Sequence, residues 1–75
     1  MVNINDYELE IKRHVFIRAM QRGISPDLIE ATLRRGKQKR FGKNYIRFVK
    51  GKVICVGQII GNIIKIITIE RKERK

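Results

Sequence analysis

His14, Arg18 and Arg22 recur every four residues, a spacing that sets three side chains on one stripe of an α-helix. An imidazole titrates near neutrality and takes or gives a proton there. Two guanidiniums beside it hold a phosphate through paired hydrogen bonds. That combination suits cleavage of RNA. A base takes the proton of a 2′-hydroxyl, the freed oxygen attacks the adjacent phosphorus, an acid protonates the departing 5′-oxygen, and fixed cations stabilise the phosphoryl oxygens. The competing reading of His14 is a solvated or half-buried helix residue beside Ile11 and Val15; residue type alone favours it, and the alignment with Arg18 and Arg22 raises the functional reading.

With a single histidine in the chain, the second proton-transfer role falls to Tyr45, to Lys43 or to an arginine. The candidate catalytic set is therefore His14, Arg18 and Tyr45. The candidate phosphate-binding set is Arg22, Lys37, Lys39, Arg40, Lys43 and Arg47. This chemistry calls for no metal or other cofactor, and the carboxylates are scattered rather than grouped as ligands for a hard cation. Tyr45 and Phe48 lie among cations, which suits base stacking. The alternative is that Phe48 faces the helices while Tyr45 faces solvent. Cys55 reads as a core filler.

Composition sets the background for these residues. The 75-residue chain carries 18 Lys and Arg against 7 Asp and Glu, a net charge of +11. Such an excess costs self-repulsion on folding, and phosphate polymers put it to use by releasing condensed counterions. RNA, such as tRNA or ribosome-bound mRNA, is the expected partner. An anionic membrane surface would call for a basic amphipathic helix with a bulky apolar face. The apolar run from Val53 to Ile69 is interrupted by Gly57, Gln58, Gly61, Asn62 and Lys65, so it reads as hairpin strands rather than a membrane span. A lone cysteine and an N-terminus without signal-peptide layout point to a reducing, cytoplasmic setting. A body this small offers a shallow groove rather than an enclosed chamber.

The elements that must position the stripe follow from punctuation. Asn5 with Glu8 resembles a capping box, which would start a first helix near Asp6. The alternative start lies near Lys12, with Tyr7, Leu9 and Ile11 alternating with Glu8 and Glu10 in an extended segment. Either way, residues 13–22 are helical and Gly23 ends them. Val15, Phe16, Ala19 and Met20 form the apolar face. Ser25-Pro26-Asp27 starts a second helix, with Leu28, Ile29, Thr32 and Leu33 inward and Gly36 expected as a left-handed cap. Strands are expected at 44–49, 52–60 and 62–70, with a weaker one at 37–41. Tight turns at Lys50-Gly51 and Gly61-Asn62 join them. The isoleucine strand is apolar on both faces, so it is either central or covered by a partner, for instance in a homodimer through the sheet.

The stretch His14-Val15-Phe16-Ile17-Arg18-Ala19-Met20-Gln21-Arg22-Gly23-Ile24-Ser25 resembles a widespread family of small bacterial and archaeal domains. Their pattern is a helix with His and then Arg four residues on, Arg-Gly-Ile-Ser, a second helix ending in Gly, and a strand meander closing on a Thr-containing strand. That family looks related to the RelE/ParE-like toxins and colicin D-type nucleases, and the resemblance covers roughly residues 10–69. It implies His14 and Arg18 as leading site residues, with Arg22 and Thr68 next. It also implies an acidic antitoxin as partner. The expected fold is α+β: two N-terminal helices on a three- to four-stranded antiparallel β-meander, RelE/ParE-like. A single basic domain would span 1–70, with a charged tail at 71–75.

Overall fold

A computed structural model describes residues 2–72. A 3-10 turn at Ile4–Asp6 leads into strand β1 (Glu8–Ile11). Helices α1 (Arg13–Gln21) and α2 (Pro26–Arg35) follow, then strands β2 (Lys37–Phe41), β3 (Tyr45–Lys50), β4 (Val53–Ile60) and β5 (Ile63–Arg71). The fold is α+β, with two helices on a sheet of order β1-β5-β4-β3-β2. Strands β2 to β5 form the antiparallel meander that their short connections require. The expected three- to four-stranded antiparallel sheet is corrected by β1, which makes the sheet five-stranded and mixed. It pairs parallel to β5, from Glu8 opposite Ile63 to Ile11 opposite Ile66. The long connection that parallel neighbours need runs through both helices and strands β2 to β4.

The start of α1 at Lys12 is the one the chain adopts. Lys12 is the extended N-cap residue, while Asn3 caps the 3-10 turn by accepting from the Asn5 amide. A helix from Asp6 would forfeit the β1 pairing, and that ladder wins over the weak capping signal. At its other end α1 stops in a Schellman arrangement, with Gly23 N–H donating to Met20 and Ile24 N–H to Ala19. Ser25 Oγ accepts from the Leu28 amide at 3.3 Å and starts α2.

Gly36 corrects one expectation. It is extended (φ −71°), not left-handed, because the chain passes straight from α2 into β2. Its glycine identity has a different cause. A Cβ there would lie 2.4 Å from the Thr32 carbonyl oxygen and 2.9 Å from that of Val49. At the hairpins, Gly51 and Gly61 have positive φ while Lys52 and Asn62 do not. That is the pattern of type II′ turns, whose twist matches the strands they join.

Between the layers lie Ile46, Phe48, Cys55, Ile64, Ile66 and Ile69 from the sheet. Val15, Ala19, Ile24, Ile29 and Leu33 meet them from the helical layer. The buried Thr32 hydroxyl is satisfied by the Leu28 carbonyl at 2.7 Å. Met20 and Leu28, expected inward, are half exposed. Each helix rests on the sheet along a stripe narrower than the full apolar arc, α1 over β5 and α2 over β3 and β4. No helix among the described residues is long and apolar enough to cross a membrane.

Candidate functional site

β1 pairs with β5 only as far as Ile66, so Ile67, Thr68 and Ile69 have no strand partner on that side. The chain leaves β1 at Ile11 and enters α1, which packs against β5. Burial of Val15 and Ala19 on the sheet fixes the rotation of α1. The four-residue stripe beside that face therefore meets the open part of β5. A groove of about 80 Å³ results, lined by His14, Val15, Arg18 and Arg22 from α1 and by residues 67–69 of β5.

A β-bulge shapes the strand wall. Val56 pairs with Thr68 and Gly57 with Ile66, so Ile67 is the extra residue. Bulges bend a strand and re-aim its side chains. Gly57 opposite has no room for a side chain, since a Cβ would sit 2.9 Å from Ile64 Cγ2 and 3.1 Å from Ile66 Cδ1.

Arg22 ties the end of α1 to β5. Its Nη1 donates to the Ile69 carbonyl at 2.9 Å, and Arg71 Nη1 lies 3.4 Å from the Arg22 carbonyl oxygen. Among the described residues no carboxylate lines the groove. Among the described residues the ion pair is Arg34 with Glu30, on α2, so the groove's guanidiniums face solvent without a counter-charge. Two guanidiniums so placed can pair with an anion of phosphate size. Among the described residues no three His, Cys, Asp or Glu side chains gather as a metal site would require. Two larger depressions flank the N-terminal segment, and neither contains a histidine or cysteine.

The structure separates the two candidate sets anticipated from sequence. His14, Arg18, Arg22 and Thr68 share the groove. Tyr45 does not. It lies on β3, with β4 between it and β5, roughly 10 Å away at ordinary strand spacing. Phe48 is buried. Lys37, Lys39, Arg47 and Tyr45 alternate onto the sheet face opposite the helices, whereas Arg40, opposite Ile46, points to the helix side. Lys43 sits in the β2–β3 loop. Sequence reasoning passed over Phe41, which stacks on Tyr45 with ring centroids 5.5 Å apart and planes at 21°. The signal for it lay in the alternation Lys37, Lys39, Phe41 against Gln38 and Arg40.

Comparison with known protein families, with curated proteins and with solved structures gives no match.

Proposed function

We propose that this chain is a toxin-like, metal-independent endoribonuclease of the RelE/ParE kind, acting in the cytoplasm at the α1–β5 groove. The observation that carries the proposal is the convergence of His14, Arg18 and Arg22 on one phosphate-sized groove at the open edge of β5, with no carboxylate among the described residues that line it. His14 takes the 2′-hydroxyl proton. The 2′-oxygen bonds to phosphorus, the P–O5′ bond breaks, the 5′-oxygen takes a proton from water entering the open groove, and the hydroxide left behind takes back the proton held by His14. Arg18 and the free N–H groups of Arg22 stabilise the phosphoryl oxygens. The products are a 2′,3′-cyclic phosphate and a 5′-hydroxyl. An acidic antitoxin would neutralise the groove between rounds.

The test is incubation of the purified chain with end-labelled single-stranded RNA, tRNA and translating ribosomes. Wild type yields the cyclic phosphate, and His14→Ala lowers the rate by about 100-fold or more while RNA binding persists. RNA left intact in all three, with His14→Ala indistinguishable from wild type, removes the catalytic reading. A second reading then stands, a non-catalytic RNA- or DNA-binding module. The placement of Tyr45 and Lys43 outside the groove favours it, because of the expected proton donors only arginines, which hold their protons tightly, are in the lining.

A further inference from the structure

The sheet face opposite the helices carries a charge pattern that the groove does not use. In β2 and β3 it presents Lys37, Lys39, Phe41, Tyr45 and Arg47. Cross-strand register places Phe41 beside Tyr45 and Lys39 beside Arg47. Phe41 is 43% exposed despite its stack on Tyr45. No packing onto the core explains an aromatic pair there. Carboxylates on this face lie at its far side, Glu8 and Glu10 on β1 and Glu70 at the end of β5.

We propose that this face is a docking platform for single-stranded nucleic acid, with bases stacking on Phe41 and Tyr45 and phosphates held by Lys39 and Arg47. The proposal rests on the RNA partner inferred above, but not on cleavage. Charge complementarity selects the occupant, because the aromatic pair is bordered by cations and β2 and β3 bring no carboxylate to this face. A second copy laid face to face would set its own Lys37, Lys39 and Arg47 against these cations, and an acidic run of Asp and Glu would leave the rings without a stacking partner.

Register also gives the platform a direction. Lys39 lies opposite Arg47, Arg47 opposite Val56, and Val56 opposite Thr68. Thr68 is itself in the groove wall. A strand laid along this row covers three inter-strand spacings, about 14 Å, the reach of a few nucleotides. A strand with one phosphate at the Thr68 end would bring bases a few nucleotides along beside Phe41 and Tyr45, which lie two residues from Lys39 and Arg47 on their strands. A stacked duplex hides its base faces and cannot use the platform, so single strands are the preferred ligand.

The test uses the full chain and a fluorescent 2′-O-methyl oligouridylate, which has no free 2′-hydroxyl to attack. Phe41→Ala and Tyr45→Ala each weaken binding about ten-fold by loss of stacking. Affinity for inorganic polyphosphate and for a duplex stays within two-fold of wild type. Phe41→Leu and Tyr45→Leu keep apolar bulk if the alanine variants unfold, and they lose affinity likewise. Wild-type affinity in folded variants, or an equal loss for polyphosphate, overturns the proposal. So does a face-to-face dimer of the free chain, seen by light scattering, that Phe41→Ala dissolves. Repeating the titration in His14→Ala keeps the two readings distinct. Failure of cleavage leaves the stacking result in place, and failure of stacking leaves His14-dependent cleavage intact.

Discussion

The guanidinium of Arg22 reaches from the end of α1 to the Ile69 carbonyl at 2.9 Å, closing a backbone acceptor that no strand covers. An arginine has five N–H donors in a fixed fork. One bond holds the group in place while the rest still face the groove. The same side chain thus locks helix to sheet and presents a pre-oriented cation, which lowers the ordering cost of gripping a phosphate.

Arg22→Ala is expected to lower stability by about 1 kcal/mol through loss of this bond. For a domain of this size that corresponds to a melting temperature about 4–8 °C lower. Arg22→Lys should restore charge without the fork, recovering part of RNA binding and less of the stability. Thermal melts and filter binding on both variants check the split.

Arg18 makes no side-chain hydrogen bond to the rest of the described chain. Arg18→Ala should leave the melting temperature within a degree or two while weakening RNA binding. For a single strand, the slope of log affinity against log salt should flatten by about 0.7 per lost phosphate contact. An unchanged slope would take Arg18 out of the phosphate site.

Gly36→Ala is expected to destabilise the fold by about 1–3 kcal/mol. The added carbon meets two backbone oxygens, at Thr32 and Val49, and backbone cannot swing aside as a side-chain tip can. Gly51→Ala meets nothing within 4 Å and carries only the strain of positive φ, about 1–2 kcal/mol. Urea unfolding of the pair should rank them in that order.

Burial pushes the Cys55 thiol up to about 12. The unfolded thiol ionises near 9, so between 9 and 12 the native state holds a proton that the unfolded state has lost. Stability from this group is complete below pH 9 and falls as pH rises towards 12, by up to about 1.4 kcal/mol per unit. Chemical denaturation of wild type and Cys55→Ala across pH 8–11 should show the steeper decline in wild type. At pH 8, a thiol reagent should label native protein only as fast as it unfolds.

Local signals carried most of the architecture. Ser25-Pro26 marked the start of α2, and the spaced glycines after α2 marked the meander. Strand limits shifted by about one residue, within ordinary boundary scatter. The four-residue spacing of His14, Arg18 and Arg22 did place them on one stripe, because helix geometry is fixed once Val15 and Ala19 are buried. β1 was harder to read. Four residues with two carboxylates become a strand only when β5 is beside them, and no nearby residue announces that neighbour. Gly36 misled because a glycine after a helix serves either a left-handed turn or a close approach, and sequence does not separate the two. Tyr45 was assigned to the catalytic group by residue type, but strand order sets it apart from His14.

The parallel pairing of β1 with β5 joins segments from nearly opposite ends of the chain. Hairpins β2–β3, β3–β4 and β4–β5 close short loops, so they can form early, whereas the β1–β5 contact must first close almost the whole chain. The groove has one wall on each side of that late closure. A partly folded chain holding only the meander would carry the aromatic platform but no groove. Any cleaving activity would then emerge in the last step of folding, after the surface that grips a strand is already in place.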